Sequence, residues 1–368
     1  MRIALIGTRG VPARYGGFET AAEEVGRRLV ERGHEVIVYC RNPGQTRSEY
    51  LGMRLVNLPA LRHRVTETLS HTALSVGHTI LRERPDVSFV FNAANAPLLR
   101  PLHAARIPVA VHVDGLEWKR AKWGQRASRY YRWAEAKSVR SADAVIADSR
   151  GIADHLLTVH GIHAHYIAYG APIVAPAPDR LTEVQLVARQ FHLVVARFEP
   201  ENHIREIVAG FVSSAARLPL VVVGDAPYAD AYRAEVLAAA GGDTRVRLLG
   251  GVWDAGLLDV LYAHCLTYLH GHSVGGTNPS LLRALGAAAP VSAYDVGFNR
   301  EVAGDAGAYF RTVEEVAQLC EAAEAEPEAA LARGAVGQAD VAVRYRWSDV
   351  AAAYEALALE LVSRPPGR

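Results

Sequence analysis

Short apolar runs alternate with longer amphipathic stretches along the chain. The first runs are Ile3–Ile6, Glu35–Cys40, Val87–Phe91, Val109–Val113 and Ala144–Ala147. Between the first two, Phe18 to Arg32 repeats apolar residues at helical spacing and stops at Gly33, as a helix end should. Strand, helix, strand in this order predicts a parallel sheet.

The alternation weakens between Tyr166 and Arg189, where GAPIVAPAPDR has prolines and no period and reads as a linker. It then restarts with His192–Val195, Leu220–Val223, Val246–Leu249, Leu266–Leu269 and Pro290–Ala293, with helical patterns such as Ile204–Arg217 and Ala255–His264 between them. At 368 residues the chain has room for two cores. The pattern therefore predicts two doubly wound α/β domains, residues 1–175 and 185–345. A terminal helix follows within 346–368, with Ser348 as its expected N-cap. Periodicity leaves open whether that helix stays on the second domain or packs back on the first.

Composition changes this picture little. Half the residues are hydrophobic and 21% are charged, as in ordinary globular proteins. A net charge of +1 points neither toward nor away from nucleic acid, and no nucleic-acid motif is present. Cys40, Cys265 and Cys320 form no CxxC pair, so neither a zinc site nor a disulfide framework is expected. The opening MRIALIG passes directly into a strand without the features of a signal peptide, and no apolar run is long enough to span a bilayer. A cytoplasmic protein is expected, with peripheral contact at the inner face of the plasma membrane open to it.

In doubly wound folds, ligands bind beyond the carboxyl ends of the strands, so the loops there are the candidates. GTRGVPARYGGFET, Gly7 to Thr20, is longer than a dinucleotide fingerprint and ends in Gly16-Gly17 before a helix. Its glycines either let backbone amides approach an anion or simply make a wide turn. In VHVDGLEWKRAKWG, Asp114 and Glu117 follow a strand at once. They can serve as base or sugar-hydroxyl acceptor, or as an N-cap and first-turn acid. His112 reads as a structural histidine. Downstream, residues 119–140 interleave Lys119, Arg120, Lys122, Arg126, Arg129, Arg132, Lys137 and Arg140 with Trp123, Tyr130, Tyr131 and Trp133. Such a surface suits anionic lipid headgroups, and a solvated helix with core aromatics explains it at least as well.

In the second half, ARFEPENH offers Arg197 to phosphate oxygens, with Glu199, Glu201 and Asn202 beside it. An arginine–glutamate surface pair is the plainer alternative. GHSVGGTNPS places Gly275 and Gly276 before Thr277, Asn278, Pro279 and Ser280, a helix start suited to an anion. An ordinary capped strand-to-helix loop has the same pattern. His270, His272 and Ser273 lie at the strand end, within expected reach of a sugar or phosphate. No carboxylate or cysteine accompanies them at metal-ligand spacing, so no metal is expected.

Together, GTRGVPARYGGFET, VDGLEWKRAKW, ARFEPEN, HGHSVGGTNPSLL and FNREV resemble glycosyltransferase family 4, more narrowly its rhamnosyltransferase-like bacterial branch in polysaccharide assembly. The resemblance implies a GT-B fold, two Rossmann-like domains facing across a cleft. It implies transfer of rhamnose or another hexose from a dTDP- or UDP-linked donor to a lipid-linked or small-molecule acceptor, with retention, without a metal or bound cofactor. Domain closure would exclude water. Asp114, Glu117 and Arg197 are the implied catalytic residues. Gly16, Gly17, Arg197, Asn202, His272, Gly275, Gly276, Thr277, Asn278, Ser280 and Arg283 are implied for the donor. Arg9, Arg14, Tyr15 and Asp114 are implied for the acceptor.

The chain departs from the family where two glutamates often bracket the last loop and helix. Here those positions are Gly275 and Arg283. A guanidinium only donates hydrogen bonds and cannot replace the ribose contact a carboxylate accepts. A new or weakened nucleotide contact at Arg283 is the expectation. Asn202 stands where a phosphate-binding lysine is common. These departures keep two alternatives in view: a repurposed homologue acting as partner subunit, and a sugar-nucleotide epimerase of the same fold.

Overall fold

The computed structural model describes residues 1–13, 16–41, 44, 46–61, 66–113, 115, 117–119, 124–225 and 230–364. They form two compact units. The first runs from Met1 to Gly170 and takes in the C-terminal helix, and the second runs from Ala171 to Arg346.

In the first unit, the elements are β1 (Arg2–Ile6), α1 (Gly17–Glu31), β2 (Glu35–Cys40), β3 (Glu49–Tyr50), β4 (Met53–Asn57), α2 (Glu67–His78), β5 (Val87–Phe91), α3 (Leu99–Ala104), β6 (Val109–Val113), α4 (Gln125–Ser141), β7 (Ala144–Ala147), α5 (Arg150–His160) and β8 (His165–Tyr166). The sheet order is β3-β4-β2-β1-β5-β6-β7-β8, parallel except for the β3–β4 pair. Strand pleating divides the core. Ala4, Ile6, Ile37, Val90, Val109 and Val111 pack with Val76, Leu99, Val139 and Leu156 from α2 to α5. The alternate residues face the other way: a Cβ on Gly26 of α1 would meet Leu5 and Met53.

The second unit contains β9 (His192–Val195), α6 (Ile204–Ser213), β10 (Leu220–Val223), α7 (Asp230–Ala240), β11 (Val246–Gly250), α8 (Ala255–His264), β12 (Thr267–His270), α9 (Pro279–Gly286), β13 (Val291–Tyr294), α10 (Gly297–Ala303), β14 (Ala308–Phe310), α11 (Val313–Ala325) and α12 (Pro327–Arg344). Its sheet runs β11-β10-β9-β12-β13-β14, all parallel. The stretch around Tyr166 to Arg189, expected as a bare linker, contains a 3-10 turn at Pro178–Val184.

The last helix, α13 (Trp347–Ser363), belongs to the first unit. Tyr354 packs on Phe89 with ring centroids 4.9 Å apart, and its hydroxyl lies 2.6 Å from His112 Nδ1 inside the sheet. Glu355 pairs with Arg32 and His34, each at 2.7 Å. Ser348 is inside the first turn, not before it, because the buried Trp347 already starts the helix. No helix among the described residues is long and apolar enough to cross a membrane.

Each sheet reverses its winding at one point. Chain order runs outward on one side of β1 through β2 and on the other through β5. In the second unit the same reversal falls between β9 and β12. Loops leaving neighbouring strands at such a point diverge and open a crevice, which is where ligands bind in this class of sheet.

Candidate functional site

In the second unit, the loops after β9 and β12 are bonded to each other at that reversal. Asn202 Nδ2 donates to the Arg197 carbonyl at 2.8 Å, which turns Oδ1 toward His272 Nδ1 at 2.7 Å. An amide oxygen only accepts, so His272 carries a proton on Nδ1. In the neutral ring this leaves Nε2 as an acceptor. Ser273 donates through its amide and hydroxyl to the Glu201 carbonyl, and His203 Nδ1 bonds the Gly271 carbonyl at 2.8 Å. The His203 ring stacks on Tyr294 at 4.1 Å. Asn299, fully buried, donates to the His272 and Tyr294 carbonyls. His272 is thus held through both ring and backbone.

Several expected donor residues gather here. Arg197, one-third exposed, pairs with Glu199 at 3.4 Å. Gly275 gives close approach: a Cβ on it would lie 2.7 Å from His272 Nε2. Asn202 is buried, with both polar atoms used within the protein, so its place in the site is to hold His272. Asn278 caps α9 by accepting the Ser280 amide at 2.8 Å. Pro279 has no amide hydrogen, so the helix start presents fewer donors than its sequence suggests. Thr277 is buried in the same turn, next to Gly276. His270 is buried below, against the Tyr268 hydroxyl at 3.0 Å, and burial lowers its pKa to about 3. Arg283 turns to α8, where it bonds Asp259 and the Ala255 carbonyl.

In the first unit, the loop after β1 is filled by its own helix. The Arg9 amide donates to Glu19 Oε1 at 2.8 Å and the Ala13 amide to Glu23 Oε2 at 2.6 Å. Thr8 takes the Gly10 amide. Burial pushes the Glu19 carboxyl upward, against the Arg9 amide bond and the Arg41 charge. The glycines therefore let the chain fold back onto α1's carboxylates. Gly16, at φ +98°, is the N-cap of α1, and Gly17 starts the helix. Arg9 lies 3.9 Å from Glu67. Arg14, Tyr15 and Asp114 lie outside the described residues.

Beyond β5 and β6 is a small pocket lined in part by Asn92, Val113, Glu117, Trp118, Tyr131 and Glu135. Glu117, one of the expected catalytic acids, faces it. The basic aromatic stretch is largely α4. Its Tyr130 hydroxyl donates to the Ala94 carbonyl at 2.7 Å, and Arg132 stacks over Trp118 at 4.6 Å. Trp133 is 51% exposed, so one aromatic of the stretch is open to solvent. Residues 120–123 of this stretch lie outside the described residues.

Residues 16–172 match the family model described as the Glycosyl transferase 4-like domain. No curated protein matches the chain in sequence. Among solved structures, sucrose-phosphate synthase from Thermosynechococcus elongatus aligns over 98% of each chain, at 19% identity and TM-score 0.83. Anabaena HepE in complex with UDP-glucose aligns over 98% of this chain and 100% of that one, at 17% identity and TM-score 0.80. The α,α-trehalose 6-phosphate synthase of Burkholderia multivorans aligns over 100% and 99%, at 14% identity and TM-score 0.72. The two Rossmann-like units have the GT-B fold.

Proposed function

We propose that this chain is a glycosyltransferase that takes a sugar from a nucleoside diphosphate donor bound at the carboxyl ends of β9 and β12. The observation that carries this is the Asn202–His272 bridge across the reversal of the second sheet, with Arg197 and the start of α9 on either side of it. An imidazole held by its Nδ1 proton on Asn202 suits a sugar hydroxyl, and a guanidinium beside it suits a diphosphate. The match of residues 16–172 to a glycosyl transferase 4-like domain, and the likeness to a structure holding UDP-glucose, support the reading.

In this reading the bond from the sugar's anomeric carbon to the diphosphate oxygen breaks, and a bond to the acceptor oxygen forms on the same face. The acceptor proton passes to the departing diphosphate. Arg197 and the α9 dipole stabilise the charge that develops there, so the step calls for no divalent ion. The donor is a uridine or thymidine diphosphate hexose, with dTDP-rhamnose first to test. The acceptor is a polysaccharide precursor or small molecule, reached at a membrane's inner face through exposed groups such as Trp133. The test is incubation with uridine, thymidine and guanosine diphosphate sugars, followed by mass analysis. Transfer or donor hydrolysis is expected with at least one. Neither, combined with no nucleotide binding by calorimetry, overturns the assignment.

A further inference from the structure

The structure assigns a second site, unconnected with donor chemistry, to three side chains of the first unit. Glu135 on α4 is buried, and its Oε1 lies 3.0 Å from His155 Nε2 and 3.0 Å from His160 Nε2, both on α5. The three ligand atoms lie within 4.8 Å of one another. Zinc binds imidazole nitrogen and carboxylate oxygen at about 2.0–2.2 Å, so its tetrahedral ligands stand about 3.3 Å apart. The two oxygen–nitrogen separations approach that value, and the two nitrogens lie within 4.8 Å of each other. We propose that Glu135, His155 and His160 bind a zinc ion, with water as fourth ligand on the side of the partly exposed His155.

The donor set fits the chemistry. Two neutral imidazoles and one carboxylate are zinc ligands, and a closed structural site would need a fourth protein ligand. Without the ion each Nε2 donates its proton to Glu135 Oε1; on binding, each ring gives up that proton, carries its proton on Nδ1 and offers the Nε2 lone pair. The second oxygen of Glu135 already has an outer partner, since Trp118 Nε1 donates to Oε2 at 3.1 Å. Such partners orient a ligand and hold it for the metal. Cysteine spacing gives no hint of this site, and Glu135 is 20 and 25 residues from its histidines.

The ion's effect would be local and structural. It ties α4 to α5, and through Glu135 and Trp118 it stiffens the wall of the pocket that Glu117 also lines. Sugar transfer does not pass through it.

The test uses full-length, tag-free protein stripped with a chelator. Zinc is titrated by calorimetry, and cobalt is added as a spectroscopic substitute. A single equivalent should bind, raise the Tm and give the intense visible bands of tetrahedral cobalt. Trp118→Phe should weaken binding about 10–100-fold, as loss of an outer-shell partner does, and H155A or E135Q by more. H155A serves where the more buried H160A fails to fold. No stoichiometric uptake by the parent protein, or uptake unchanged in both H155A and E135Q, overturns the proposal. Stripped protein should still transfer sugar, which separates this result from that of the donor screen.

Discussion

Arg283 and Asp259 form an ion pair, Nε to Oδ1 at 2.7 Å, and Arg283 Nη2 donates to the Ala255 carbonyl at 2.8 Å. Both partners are on α8, so the arginine fastens α9 to its neighbouring helix. Its neighbours Leu281, Leu282 and Leu285 are buried, and the charge lies at the rim of the contact. The residue that departs most from the family pattern thus has a structural partner of its own.

Arg283→Met should therefore cost about 1 kcal/mol or less of stability, as expected for a part-exposed pair. Arg283→Glu should cost more, because it sets a second carboxylate against Asp259. Chemical denaturation measures both. Calorimetry with the donor nucleotide then decides the arginine's role. Unchanged affinity in Arg283→Met agrees with a structural pair, whereas a loss of about tenfold, ~1.4 kcal/mol, would show that it touches the ligand.

The Asn202–His272 bridge supports a sharper expectation. Asn202→Asp replaces the amide donor with an acceptor facing the Arg197 carbonyl, inside a buried loop junction. Leaving that carbonyl without its partner should cost about 1–3 kcal/mol. The carboxylate can still accept from His272 Nδ1, but it is no longer anchored on the Arg197 carbonyl, so the ring is held less firmly and donor affinity should fall along with stability. Stability lost with donor affinity intact would remove His272 from the donor site.

Much of the fold was legible. The runs at Glu35–Cys40, Val87–Phe91, Val109–Val113 and His192–Val195 are strands with those same limits. They read cleanly because they are buried on both faces and carry continuous apolar residues. Met53–Asn57 was missed because its half-exposed pattern dilutes the signal near a sheet edge. The site was legible by loop but not by role. Arg197, Asn202, His272 and Asn278 do lie on neighbouring loops, as their position after strands implied. That Asn202 bonds His272 seventy residues away, or that Asn299 holds the His272 carbonyl, depends on strand order. Local pattern does not encode it. In the glycine-rich loop after β1, local pattern likewise does not show that the Arg9 and Ala13 amides bond Glu19 and Glu23 of α1.

Gly271 tests how tightly the two loops must meet. A Cβ there would lie 2.0 Å from the Asn202 carbonyl oxygen, which is backbone and cannot swing aside. Gly271→Ala should destabilise the second unit by about 1–3 kcal/mol through overpacking. It should also push apart the β9 and β12 loops and weaken nucleotide binding. A variant with parental Tm and parental affinity would show that the junction yields easily.

Acid should weaken the fold through its buried histidines. Burial lowers the pKa of His112 to about 3, and that of His71 to about 4. At pH 7 these rings are neutral whether the chain is folded or not, so they add no pH dependence there. Below the unfolded value of about 6.5, the unfolded chain takes up protons that the folded one refuses. Stability then falls with decreasing pH, by up to about 1.4 kcal/mol per unit for each histidine, until the folded pKa is reached. For His112 the window runs from about 6.5 down to about 3. The measurement is denaturant unfolding at steps from pH 7 to pH 5, comparing the parent with His112→Gln, which keeps a polar partner for the Tyr354 hydroxyl. Loss of that hydrogen bond's geometry shifts both ends of the curve equally, so only the slope reports titration. The variant's slope should be shallower by about one proton, ~1.4 kcal/mol per pH unit, at the acidic end. Equal slopes would mean that His112 titrates normally inside the fold, and that α13 does not seal the sheet face as the Tyr354–His112 contact implies.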